Sequence, residues 1–213
     1  SAILGVALGF LCLFALPKTP PARGVKKNAT FEALGEVKRQ PLITLFLLAV
    51  PVSCIHQFYF MHTAEFLNKL QSEVAGQGLA DAINTVFGYG GGGLMTIGQM
   101  VEIGVLAAIP LVAKKWSRKS LLALGLLAYG LRMALFAFAP AWGSLALPAV
   151  IVGVGLHGIC FGCFIFVAFM VVDEETTGDV RASAQSLFNL VIVGIGIIVG
   201  SYFATAVVAD WAK

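Results

Sequence analysis

Charge is what this sequence has least of. Asp, Glu, Lys and Arg make up 12% of its 213 residues, against 59% hydrophobic residues and a mean hydropathy of +0.91. A water-soluble domain needs roughly a quarter of its residues charged to dress its surface, so that class is excluded and the chain reads as an all-α, polytopic membrane protein. Cysteine is scarce as well: Cys12, Cys54, Cys160 and Cys163 all lie in apolar runs, where a thiol serves as a small hydrophobe and sets up no disulfide framework. Acids are nearly absent from the apolar runs, Glu102 being the one carboxyl inside them. With no Ser/His/Asp set and no paired carboxylates, hydrolytic catalysis has no machinery here, and no cofactor is implied. The glycine run Gly88 to Gly93 is followed by no Lys-Ser/Thr and preceded by no strand, which removes a phosphate loop and leaves a flexible hinge. The formal net charge of +3 reports topology rather than a nucleic-acid partner.

What is present is a series of six apolar runs: Ile3 to Leu16, Pro41 to about Met61, Leu94 to Ala113, Ser120 to Phe138, Leu145 to Val172, and a last one to about Val208. The first is short and lacks a charged leader, so a truncated helix is expected in place of a signal peptide. Residues 1–16 are then the end of a span, 17–40 a polar linker, and 41–213 a unit of five further runs. Ten of the fourteen Lys and Arg fall in the loops after the first and third runs, and Arg181 after the fifth makes eleven. Those loops, the 17–40 linker included, are assigned to the cytoplasm by the excess of cations on one side. Arg132 lies six residues from the end of its run, close enough to snorkel to the interface or to pair within the bundle.

The run Leu94 to Ala113 organises the rest. Gln99 and Glu102 are three positions apart, so both lie on one helical face, separated by about 4.5 Å of rise. An ionisable group at that depth costs about 2.5 kcal/mol or more when charged, and such groups face a bundle interior or a wet cavity. The pair is read as binding one polar solute, with Thr96 and Met95 on the same side. Gln57, set among His56, Tyr59 and Phe60, offers an amide beside rings that could stack on a planar ligand, or else belongs to an interfacial aromatic belt. The segment from His157 to Cys163 has metal-like spacing and a C-x-x-C, but further ligands and an oxidoreductase fold are both missing. Gly196 and Gly200 form a small-x-x-x-small face for close helix packing.

These pieces in their order, Gln99-x-x-Glu102, Lys114-Lys-Trp-Ser-Arg-Lys119, Leu131-Arg-Met-Ala-Leu-Phe-Ala137, His157-Gly-Ile-Cys-Phe161 and Arg181-Ala-Ser-Ala-Gln185, resemble the C-terminal half of nucleoside:proton symporters of the major facilitator superfamily. The resemblance implies spans six to eleven of a twelve-span transporter in the cell (inner) membrane, with residues 41–213 a truncated five-helix part of its C-terminal half. Its partners would be the lipid bilayer, an N-terminal half, protons and a small nucleoside-like solute. It places substrate contacts at Gln57, Phe60, Gln99, Glu102, His157 and Phe161, with Glu102 as the proton-coupling candidate. The chain departs from the family pattern at Phe60, where an asparagine is usual, at His157, where a tyrosine is usual, and at Gly162 and Cys163, which replace an acid-aromatic pair. A sugar or oligosaccharide symporter is the alternative within the superfamily. A membrane thiol oxidoreductase using Cys160 and Cys163 is the alternative from another class.

Overall fold

In hydrocarbon every backbone N–H and C=O must find its partner within the protein, and a helix does this locally, so long apolar runs become helices. The computed structural model describes residues 2–17, 29–89 and 91–208, and among these every regular element is helical. A first helix, α1 (Ala2–Ala15), has none of its residues buried. Its 14 residues extend about 21 Å at 1.5 Å per residue, short of the roughly 30 Å of a hydrocarbon core. Residues 18–28 of the expected polar linker lie outside the described residues. After them comes α2 (Ala29–Val37), which buries Ala33 and Val37 on one side.

The long crossings follow. Helix α3 (Leu42–Glu73) is 32 residues, and a short α4 (Gly78–Phe87) precedes α5 (Gly91–Val112). Helix α6 (Arg118–Phe138) begins at a Ser117 cap, whose hydroxyl accepts the backbone N–H of Ser120 at 3.1 Å. After it, a 3₁₀ segment (Ala139–Leu145) reverses the chain at Gly143, whose φ of +56° suits a residue without a Cβ. Helix α7 (Ala146–Ile159), a π-helical stretch (Cys160–Phe166) and α8 (Val167–Glu175) then form one continuous return. The last crossing is α9 (Arg181–Asn189), a π stretch (Leu190–Ile195), α10 (Gly196–Tyr202) and a terminal π stretch (Phe203–Val208). The helical run from Arg118 to Glu175 spans 58 residues, too long for one crossing, and α7 packs back against α6, so it counts as two.

Two sequence-based boundaries move. The second run ends near Met61 by composition, yet α3 continues to Glu73 because Thr63, Leu67, Leu70 and Gln71 repeat on one face and are buried. The glycine run is not wholly a hinge: Gly88 turns the chain at φ +74°, but Gly91, Gly92 and Gly93 are the first residues of α5. The carboxamide of Gln71 closes this end, donating to Asn84 Oδ1 at 2.8 Å and to the Gly88 carbonyl at 2.9 Å.

Buried side chains form three clusters stacked along the bundle. One, around Leu42, Leu45, Leu121, Val172 and Phe188, lies toward the basic end. A middle cluster holds Val52, Tyr129, Cys160 and Phe164, and a third gathers Leu67, Leu94, Leu147 and Val150 toward the other end. The outward surface is apolar, with Leu47, Ile103, Leu127 and Ile198 each more than half exposed, as a lipid-facing surface requires. At the basic end the loops are tied together: Arg118 bonds Glu174 at 2.7 Å, and Glu36 of α2 receives the Thr177 hydroxyl at 2.7 Å and the Thr177 N–H at 3.0 Å. Those two bonds hold the Glu36 carboxyl below the usual carboxylate range.

Candidate functional site

Two glycine-mediated crossings bring the candidate residues together. A Cβ on Gly158 of α7 would overlap the backbone N of Glu102 and come within 2.6 Å of the Val101 carbonyl carbon, so only glycine lets α5 and α7 lie this close. On the opposite side Gly98 of α5 faces Val154 and the Cβ of His157. The second crossing sets Gly196 and Gly200 of α10 against Ser53, Cys54 and Gln57 of α3, the close packing expected of that small-residue face. The Ser53 hydroxyl donates to the Ile192 carbonyl there, and Gln57 Nε2 donates to Ser201 Oγ at 3.3 Å.

His157 stands at the centre of what results. It is 4% exposed, and its Nε2 lies 3.5 Å from the Glu102 carboxyl. Its Nδ1 is 3.0 Å from Nη1 of Arg132. Arginine has no acceptor, so the guanidinium donates and Nδ1 accepts, which leaves the ring proton of neutral His157 on Nε2, facing Glu102. Arg132 itself is completely buried, with its guanidinium carbon 4.1 Å from the Tyr59 ring centroid and 5.0 Å from that of Tyr129. It pairs inside the bundle and does not snorkel. Aromatic faces partly replace water around such a cation, at about 0.5–2 kcal/mol each.

A stack of rings leads from His157 to a cavity. His56 lies over His157 with ring centroids 5.4 Å apart and 22° between planes, and its Nδ1 is 2.8 Å from the Tyr129 hydroxyl. Phe60 meets both histidines edge-on, at 4.9 Å and 5.6 Å. Beside them opens a cavity of about 280 Å³ whose lining includes His56, Gln57, Phe60, Phe161 and Asn189. Phe161 sits in the π-helical stretch, where the extra residue in the turn changes the direction in which side chains project.

Of the residues singled out in the sequence, Gln57, Phe60 and Phe161 line this cavity, and His157 stacks behind it on His56. Glu102 joins them through His157, its side chain 22% exposed. Gln99 is exposed and makes no hydrogen bond with the described residues, so it shares the face of Glu102 without touching the ring stack. Cys160 and Cys163 are free, buried thiols packed into the core clusters. Sequence reasoning gave no site role to Arg132, Tyr129, Asn189 or Ser201. For Arg132 a signal existed: a cation deep in an apolar run, in a chain with one acid at comparable depth.

Comparison with known proteins agrees with this architecture. The sequence model of the Nucleoside H+ symporter family matches residues 1–213. The putative nucleoside transporter YegT of Escherichia coli K12 is 28% identical over 208 residues, which cover 94% of this chain and 43% of that protein. The xanthosine permease of the same organism is 30% identical over 126 residues, 55% of this chain and 30% of that protein. A crystal structure of the nucleoside transporter NupG superposes with a TM-score of 0.73 at 23% identity, covering all of this chain and 52% of that one. The chain therefore spans about half the length, or less, of the proteins it resembles. Five apolar crossings, a carboxyl at the middle of α5 and a match over the entire sequence lead to one assignment: the chain belongs to the Nucleoside H+ symporter family.

Proposed function

We propose that this chain supplies one side of the solute path in a proton-coupled nucleoside transporter of the cell membrane, working by alternating access. The observation that carries the reading is the position of Glu102, the one acid within the apolar length of the crossings among the described residues, since Glu65, Glu73 and Asp173 to Glu175 lie in their polar ends. Glu102 meets a buried histidine whose ring stack continues into an open cavity. In this reading Gln57 and Gln99 hydrogen-bond the solute, Phe60 and Phe161 stack on its base, and His157 and Glu102 bind it and carry the proton. The aromatic lining suits a planar heterocycle, and the amides suit its ring edge and ribose hydroxyls. Residues 1–16 end a preceding span, 17–40 form a cytoplasmic linker, and 41–213 hold five helices of the C-terminal half. The opposite wall of the cavity comes from an N-terminal half, with the midplane site shared between the two.

The test uses the complete transporter in proteoliposomes with an imposed proton gradient and labelled uridine. Glu102→Gln keeps the shape and hydrogen-bonding capacity but removes the titration. Accumulation against a gradient is expected to disappear while uridine counterflow persists. Wild-type accumulation in the variant would remove Glu102 from coupling. Competition of uridine uptake by nucleosides but not by bases or disaccharides is expected, and competition by disaccharides alone would favour the sugar symporter instead.

A further inference from the structure

We infer that Arg132 is a positioning residue for proton coupling: it holds His157 as an Nε2–H donor aimed at Glu102. The inference rests on the proposed transport function for its bearing on proton coupling, but not for its geometry. A fully buried guanidinium needs a counter-charge, and among the described residues Glu102 is the one acid within the apolar length of the crossings, Glu65, Glu73 and Asp173 to Glu175 lying in their polar ends. The two do not touch. His157 stands between them, bonded to Arg132 through Nδ1 at 3.0 Å and facing Glu102 through Nε2 at 3.5 Å. Because Arg132 can only donate, it excludes the opposite tautomer, in which Nδ1 would carry the proton and Nε2 would present a lone pair to the carboxylate.

The other polar groups around this pair do not substitute for either role. From α3 come His56 and Tyr59, from α6 Tyr129 and Arg132, and from the π-helical stretch after α7 comes Cys160. His56 is engaged by the Tyr129 hydroxyl at 2.8 Å and meets His157 through a ring face. Tyr59 and Tyr129 offer their faces to the guanidinium, which leaves it a full positive charge. Nε and Nη2 of Arg132 are buried and unbonded among the described residues, so the single bond to His157 and the two ring faces define its orientation.

Two measurements on the complete transporter test this. Nitrogen-15 chemical shifts of His157 in the wild-type protein near pH 7 are expected to show a protonated Nε2 and an unprotonated, hydrogen-bonded Nδ1. The opposite tautomer, or an imidazolium, overturns the inference whether or not uridine is the solute. In Arg132→Met, which removes the donor at similar length, the Nδ1 signal is expected to move to that of an unbonded lone pair, while Arg132→Lys, which keeps a donor, is expected to leave it near the wild-type position. An unmoved Nδ1 signal in folded Arg132→Met would make Arg132 a structural cross-link and overturn the inference. If Arg132→Met does not accumulate, the wild-type His157 spectrum and the Lys variant decide. Absence of uridine uptake by the wild type would count against the proposed function and leave the tautomer result standing.

Discussion

Substituting Gly158 by alanine tests the helix crossing on which the whole site depends. The added Cβ would meet backbone, not a flexible side-chain end: it overlaps Glu102 N and lies 2.6 Å from Val101 C and 2.8 Å from Glu102 Cα. Ordinary carbon contacts are about 3.5–4.0 Å, so α5 and α7 must separate by roughly 1 Å. Overpacking of this kind costs about 1–3 kcal/mol, partly offset by the gain of about 0.8–1 kcal/mol from replacing a helical glycine. Gly155→Ala provides the control. It lies one turn earlier on the same helix, and its Cβ would sit 3.9 Å from Val101 Cγ2, an ordinary contact. It receives the same propensity gain without the overlap, so the two variants are expected to differ by about 1–3 kcal/mol, Gly158→Ala being the less stable. Thermal or denaturant unfolding in detergent reads that difference. The same displacement carries Glu102 away from His157, so proton-driven uptake in the complete transporter is expected to fall at least tenfold in Gly158→Ala and to hold in Gly155→Ala. Equal stability and equal uptake in the two variants would refute the close approach of α5 and α7 and the site built on it.

Two further expectations concern the ends of the bundle. Folding holds the Glu36 carboxyl below the usual carboxylate range through its bonds from Thr177, so its contribution is present above the unfolded value near 4.3 and is lost as pH falls through the folded value beneath it. Amide protection at Thr177 and along α2, taken relative to the intrinsic exchange rate, is therefore expected to fall below about pH 4, and to be low already at neutral pH in Glu36→Gln, with unchanged protection in that variant counting against the clamp. Single cysteines introduced at Ser117 and at Ser72, both exposed and at opposite ends, are expected to react with a membrane-impermeant maleimide from the cytoplasmic side only and the outer side only, respectively. The reverse pattern would overturn the assignment of the basic loops to the cytoplasm.

The sequence by itself determined the class, the crossings and the place of Glu102 along its helix, since each follows from local physics. An apolar run of about twenty residues satisfies its own backbone as a helix, and Gln99-x-x-Glu102 share a face because of the helical period. Gly196 and Gly200 were legible as a packing face, and α10 does lie on α3 there. The extension of α3 past Met61 was also written in the order Thr63, Leu67, Leu70, but weakly, because the polar residues between them lower the average apolarity. What only the tertiary structure decided is which distant groups meet. Arg132 and His157 are 25 positions apart and His157 and Glu102 are 55, on three different helices, so no periodicity links them. Whether Arg132 reaches the interface or turns inward depends on the rotation of α6 about its axis, which packing against Tyr59, Tyr129 and His157 determines. The contact of His157 with Glu102 depends on how near α7 can come to α5, and that distance is set by the missing side chain of Gly158 meeting backbone from another helix.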